Sequence, residues 1–183
     1  NVLAAEQTTA SSDWFQGTAD AVRKSLQHLN NYQHENVLIL SGDQLYLMDY
    51  EKLFSFHQKA EADITIATLP VTSTNASNFG ILTTRDNSQV ETFFEKPSPV
   101  TLAGMNSSQT TSIDTREQCY MASMGIYVFK RNILQALLED HPDCHDFGSE
   151  LIPRVLQSHR VFSYPYLGYW SDIGTIRSYY DAN

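Results

Sequence analysis

The chain has 183 residues, of which 42% are hydrophobic and 18% charged, and a formal net charge of −9. That is enough apolar material for one sizeable core and too much for a disordered chain. The acidic balance excludes a general nucleic-acid or anionic-membrane surface, which needs clustered Lys and Arg, and no apolar run approaches the roughly 20 residues that span a bilayer.

Taken in chain order, Val2-Leu3-Ala4-Ala5 reads as a strand. The start lacks a methionine and a signal-peptide pattern, which is expected of a piece of a longer polypeptide. Residues 17–29 place Ala19, Val22, Leu26 and Leu29 at helical spacing. Val37-Leu38-Ile39-Leu40 is a buried strand, and residues 50–60 repeat the helical signal through Leu53, Phe54 and His57. Residues 63–69 form a β-branched strand that Pro70 is expected to stop. Residues 80–84 and 90–94 flank Arg85-Asp86-Asn87-Ser88 as a hairpin.

Residues 98–118, rich in Ser, Thr, Asn and Pro, lack periodicity and read as a long loop. Residues 123–129 are another buried strand, and 133–138 and 149–156 read as helices. Residues 161–164 form a last strand, and the chain stops at Tyr180-Asp181-Ala182-Asn183 inside an apparent helix without a cap. Strands interleaved with helices predict a mostly parallel, three-layer α/β domain.

Cys119 and Cys144 are too few for a disulfide framework and lack metal-site partners, which favours free thiols in a reducing cytosol or stroma. The six histidines are scattered without zinc-site spacing.

Ser41-Gly42-Asp43 follows the strand at 37–40, so it presents a carboxylate at a strand end, where open α/β folds bind phosphates and metal ions. A simple turn is the competing reading. Asp172, in Tyr169-Trp170-Ser171-Asp172-Ile173-Gly174-Thr175, is a second carboxylate beside a glycine. It can share a Mg²⁺ with Asp43 or cap the helix that follows. Lys96, in Glu95-Lys96-Pro97, is a lone cation that suits a phosphate, or an exposed strand-end lysine. Gly17-Thr18 opens a helix, either as plain initiation or as a close approach for a base, ribose or phosphate. Asp146-Phe147-Gly148 is a turn into a helix: no H-R-D loop or V-A-I-K strand accompanies it, so a kinase is excluded. No G-x-G-x-x-G or G-x-x-x-x-G-K-[ST] loop and no Ser/His/Asp arrangement stands out.

These motifs, in this order, resemble the sugar-1-phosphate nucleotidylyltransferases, and among them the ADP-glucose pyrophosphorylases (glucose-1-phosphate adenylyltransferases). The resemblance is carried by Trp14-Phe15-Gln16-Gly17-Thr18-Ala19-Asp20, Ser41-Gly42-Asp43, Met48-Asp49-Tyr50, Phe79-Gly80, Phe94-Glu95-Lys96-Pro97, Ala122-Ser123-Met124-Gly125, His145-Asp146-Phe147-Gly148-Ser149-Glu150 and Tyr169-Trp170-Ser171-Asp172. It spans nearly the whole chain apart from residues 98–118.

The resemblance implies a Rossmann-like domain of the glycosyltransferase A-like type, with ATP and glucose 1-phosphate giving ADP-glucose and pyrophosphate for glycogen or starch synthesis. It implies Mg²⁺ held by Asp43 and Asp172, and Lys96 on the phosphate of glucose 1-phosphate. Glu95 would take the sugar hydroxyls, Phe15, Gly80 and Ser123 would line the sugar pocket, and Gly17 and Thr18 would lie near adenine and ribose. Phe15 stands where some relatives have Tyr. Residues 1–183 would then be the central and C-terminal part of one catalytic domain. The G-G-G-x-G-T-R-L triphosphate loop and the C-terminal β-helix domain are not in this sequence, so the fragment alone is expected to lack turnover. The parent protein would be a homo- or heterotetramer in a bacterial cytoplasm or a plastid stroma. A non-catalytic regulatory subunit, or a relative using another nucleotide, are the alternatives.

Overall fold

The computed structural model describes residues 14–29, 33–105 and 119–183; the strand expected at 2–5 lies outside them. In chain order come helix α1 (Thr18–Leu29), strands β1 (Asn36–Ile39) and β2 (Gln44–Tyr46), α2 (Tyr50–Lys59), β3 (Ile64–Thr72) and α3 (Ser73–Ala76). The hairpin β4 (Gly80–Thr84) and β5 (Val90–Glu95) follows, then α4 (Pro99–Gly104), β6 (Cys119–Lys130) and α5 (Arg131–Asp140). A π-helical turn (Phe147–Leu151) runs into α6 (Ile152–Val155), ahead of β7 (Val161–Pro165), β8 (Trp170–Asp172) and α7 (Ile176–Asp181).

One sheet runs β5-β4-β6-β3-β7, and β1 lies against the far half of β6. β6 is long enough to pair β3 along one edge and both β1 and β4 along the other. Gly125, at φ +68°, lies between the part of β6 that meets β4 and the part that meets β1. The expected mostly parallel sheet is corrected in its ladders. β1, β3, β4 and β7 all share one direction, but β6 runs against them in the middle, so only β3 and β7 pair in parallel. Local patterns set which segments extend, and they carry no information about which neighbour each will meet.

β6 also explains the layers. Tyr127 and Phe129 point into a cluster with Ile64, Leu134, Leu138 and Phe147, under α1, α5 and the π-turn. Met124, Ile126 and Val128 point the other way, onto Leu53 of α2. A strand turns alternate side chains to opposite faces, so one apolar run builds both cores. Phe129 and Phe147 stack at 5.5 Å between ring centroids and are almost completely buried. Truncating either to alanine would cost roughly 3–5 kcal/mol.

Three local expectations change. Pro70 does not stop its strand: β3 continues to Thr72, with Pro70 opposite Met121. The ladder to β7 ends at Thr68, so from there β3 has one described neighbour, and a proline is tolerated on such an edge. The loop expected at 98–118 contains α4, which Ser98 caps by accepting from the Thr101 amide, with Leu102 buried beneath; residues 106–118 lie outside the described part. The helix expected at 149–156 begins two residues earlier as a π-turn, capped by Asp146 through the Ser149 amide. At the other end α7 does have a cap, Ala182, whose N–H reaches Ser178 and Tyr180 carbonyls.

Candidate active site

β1 delivers the chain to the edge of the sheet at Ile39, and Ser41-Gly42-Asp43 leaves it there. The chain then forms the small antiparallel ribbon of β2 and β8, in which Gln44 lies opposite Asp172. This pairing brings the two carboxylates together. The Ile173 amide donates to the Asp43 carbonyl at 2.9 Å, the Ser41 hydroxyl donates to Asp43 Oδ1 at 2.5 Å, and the Gly174 amide donates to Asp172 Oδ1 at 2.7 Å.

Gly174 lies between them. A Cβ there would stand 3.0 Å from Asp172 Oδ1 and 3.5 Å from Asp43 Oδ2, so the two oxygens are at most the sum of those distances apart. Both residues are solvent-exposed. Asp172 does not cap α7: Thr175 does, in a reciprocal pair with Ser178. Its carboxylate is held by its own turn, accepting from the Gly174 amide. Two hard oxygen donors converging over a residue without a side chain fit a Mg²⁺ ion, which takes few protein carboxylates and completes its shell with phosphate and water. No group of three or more His, Cys, Asp or Glu among the described residues could hold a metal ion.

Beside this pair opens a cleft of about 410 Å³. Of the residues singled out from sequence, Thr18, Gly80, Glu95, Ser123 and Asp172 line it; Phe15, Gly17, Asp43 and Lys96 do not. Asp43 stands next to it through Ser41, a lining residue whose hydroxyl donates to Asp43 Oδ1. Phe15 lies instead beneath Lys24, whose ammonium is 5.7 Å from the ring centroid. Gly17 packs flat on the His145 carbonyl, which accepts from the Ala19 and Asp20 amides. The glycine is needed for that close approach, since a Cβ would collide with the carbonyl.

The pocket wall is built from Gly80, Glu95 and Gly148. β4 and β5 place Gly80 opposite Glu95, and a Cβ on Gly80 would meet Glu95 Oε2 at 2.8 Å and Phe93 Cζ at 2.5 Å. Glu95 Oε2 also lies 3.0 Å from the position of a Gly148 Cβ. Burial and then the neighbouring Asp146 push the Glu95 carboxyl above its ordinary value, with Lys96 opposing them. For Asp146, burial acts upward, but it is outweighed by hydrogen bonds from Ser149, Thr18 and Gly148, and its carboxyl is held below the aspartate range. Tyr127, at the back of the cleft, has its hydroxyl pushed up to about 12 by burial, with Glu95 and Asp146 adding to the effect and Ser123 opposing it.

Lys96 follows the last residue of β5 with φ +45°, and its amide donates to the Phe79 carbonyl at 3.1 Å. A side-chain-bearing residue in that region carries strain of order 1 kcal/mol.

Asp146, Gly148, Tyr127, Gln44 and Trp170 also line the cleft and were not among the candidate site residues. Asp146 carries both the turn expected of it and a further contact: the Thr18 hydroxyl donates to its Oδ2 at 2.8 Å, across the cleft floor from α1. Trp170 donates from Nε1 to Gln44 Oε1 at 3.2 Å and meets Phe79 edge-on at 5.6 Å. Their motifs were visible in the sequence, but nothing local told a turn residue from a lining one.

An α/β sheet whose strand ends gather carboxylates beside a cleft of this size has the architecture of enzymes that act on phosphorylated small molecules. The model of the nucleotidyl transferase family matches residues 1–183, and the chain belongs to that family. The protein is a nucleotidyltransferase, and the family supports action on a nucleoside triphosphate and a sugar 1-phosphate. Enzymes of this kind generally use a divalent metal such as Mg²⁺. No described helix is long and apolar enough to cross a membrane.

Proposed function

We propose that this nucleotidyltransferase is a glucose-1-phosphate adenylyltransferase, of whose catalytic domain residues 1–183 form the central and C-terminal part. An oxygen of the glucose 1-phosphate phosphate attacks the α-phosphorus of ATP, the bond from that phosphorus to the bridging oxygen breaks, and pyrophosphate leaves. The observation that carries the reading is the convergence of Asp43 and Asp172 over Gly174, next to a cleft walled by Glu95.

Asp43 and Asp172 would hold Mg²⁺, which when bound neutralises the crowded phosphate oxygens. Lys96, directly after Glu95 in the chain, would supply a point charge for the sugar phosphate. Glu95, facing Gly80 with no side chain between, accepts hydrogen bonds from sugar hydroxyls, and Ser123 offers a further hydroxyl from β6. Gly17 and Thr18 border the adenosine side, where Thr18 lines the cleft and Gly17 sets the start of α1. Catalysis here is chiefly positioning and charge stabilisation. The reading places the protein in a homo- or heterotetramer that serves glycogen or starch synthesis.

The described lining of the cleft carries Glu95, Asp146 and Asp172 and no Lys or Arg. A non-catalytic regulatory subunit of the same assembly is the second reading. Pyrophosphate release by the natural full-length protein, with Mg²⁺, glucose 1-phosphate and each nucleoside triphosphate in turn, separates the readings. A strong preference for ATP is expected. Preference for dTTP or GTP refutes the adenylyl assignment, and binding without release with any triphosphate supports the second reading.

A further inference from the structure

The start of α1 gives its polar groups to one distant segment. The Ala19 and Asp20 amides both donate to the His145 carbonyl, at 2.8 and 3.1 Å, and Gly17 lies flat against that same carbonyl. The Thr18 hydroxyl donates to Asp146 Oδ2 at 2.8 Å and accepts from the Phe147 amide at 3.2 Å. One turn further on, Arg23 donates to the carbonyls of Leu138, His141 and Cys144, at 3.0, 3.0 and 2.6 Å. It thereby holds the stretch that leads into His145.

A phosphate bound at a helix N-terminus takes the first free amides. Here those of Ala19 and Asp20 are already given to a backbone carbonyl. The Thr18 hydroxyl has a single proton, and Asp146 receives it. The start of α1 is thus built to hold residues 145–147, and Thr18 keeps no proton for a nucleotide.

What it holds reaches the other wall of the cleft. Asp146 caps the π-turn through Oδ1, which accepts from the Ser149 amide at 2.8 Å and from its hydroxyl at 3.0 Å. One carboxylate oxygen therefore serves α1 and the other serves the turn, through charge-assisted bonds of defined direction. Gly148, within that turn, is buried and lines the cleft. A Cβ on it would stand 3.0 Å from Glu95 Oε2 and 3.6 Å from Asp146 Oδ1. At that spacing a small displacement of Asp146 carries Gly148 onto or away from the Glu95 carboxylate.

We infer that Thr18 is a positioning residue for the sugar 1-phosphate: its hydroxyl fixes Asp146 and, through the π-turn, the wall that Gly148 forms against Glu95. This role rests on the assignment of Glu95 to the sugar proposed above. It makes a residue at the adenosine side act on the sugar.

The test compares Thr18→Val with Thr18→Ser in the natural full-length protein. Thr18 is exposed, so neither variant disturbs the core. Thr18→Val should raise KM for glucose 1-phosphate about tenfold, as for a lost hydrogen bond to a charged group, while KM for ATP changes less than about twofold. Thr18→Ser, which keeps the hydroxyl, should restore most of that loss. Hydrogen exchange over residues 146–151, followed by mass spectrometry without substrate, should quicken about tenfold in Thr18→Val and stay slow in Thr18→Ser. Unchanged values of both KM, a rise in KM for ATP alone, a serine variant no better than the valine one, or unaltered exchange would each overturn the inference. Should the protein prefer another triphosphate, the adenylyl reading falls, and the split between the sugar phosphate and that triphosphate still decides the role of Thr18. Should it bind without release, the dissociation constants of the two ligands decide it in the same way.

Discussion

Asp43 and Asp172 both border the space that the missing side chain of Gly174 leaves: a Cβ there would stand 3.5 Å from Asp43 Oδ2 and 3.0 Å from Asp172 Oδ1. They lie far apart in the chain, and the pairing of Gln44 with Asp172 across a three-residue ribbon brings them together. Gly174→Ala should therefore injure the proposed metal site with little effect on the fold, since the residue is exposed. The half-saturating Mg²⁺ concentration for pyrophosphate release is expected to rise about tenfold, in the range seen when groups that orient metal ligands are altered. An unchanged Mg²⁺ curve would remove the pair from the metal site.

Lys96 combines a charge with a left-handed backbone, and two substitutions separate them. Lys96→Ala and Lys96→Gly should both raise KM for glucose 1-phosphate more than they lower kcat, by about tenfold or more for loss of a charged hydrogen bond. Lys96→Gly should nevertheless be the more stable of the two by about 0.5–1 kcal/mol, because glycine is at ease at φ +45°. Denaturant midpoints measure the second effect independently of the first.

Glu95 titrates in the fold above its ordinary value of 4.5, for reasons of burial and of Asp146. The folded protein therefore holds that proton more tightly than the unfolded chain, and stability falls as pH rises from about 4.5 through the raised folded value. Glu95→Gln removes this loss. It should raise Tm at pH 7, match the parent well below pH 4.5, and abolish most activity if Glu95 grips the sugar. A lower Tm at neutral pH would show that the carboxylate is net stabilising.

His57 gives the opposite slope. Its pKa falls from 6.5 to about 4 on folding, so the unfolded chain binds the proton first. Stability is complete above pH 6.5 and is lost as pH falls toward 4, by about 3 kcal/mol for this group. Urea unfolding across that window should show the slope, and His57→Gln should flatten it.

Gly80→Ala puts a methyl group from a buried position against the buried Phe93 ring and Oε2 of the exposed Glu95. A loss of about 1–3 kcal/mol is expected from the overpacking, together with a raised KM as Glu95 is displaced. Equal stability and unchanged KM would mean that the β4–β5 corner gives way freely.

Much of this protein was legible along the chain. The apolar runs at 37–40, 63–69 and 123–129 named the central strands, helical spacing named α1, α2 and α5, and the motifs around Asp43, Glu95 and Asp172 supplied the residues of the proposed site. These are local signals, and side-chain periodicity reports them faithfully. Strand partnership is not local: β6 sits between strands of the opposite direction, and Pro70 survives in a strand because β7 has already ended beside it. Only the fold decided that Asp172 and Asp43 both border the space at Gly174 while Thr175 takes the cap, and that Asp146 lines the cleft as well as its turn. It also decided that Gly17 serves the His145 carbonyl outside the cleft, and that His57 keeps a buried ring nitrogen without a partner. Each of these depends on which distant segment arrives alongside, and that is set by the packing of the whole sheet.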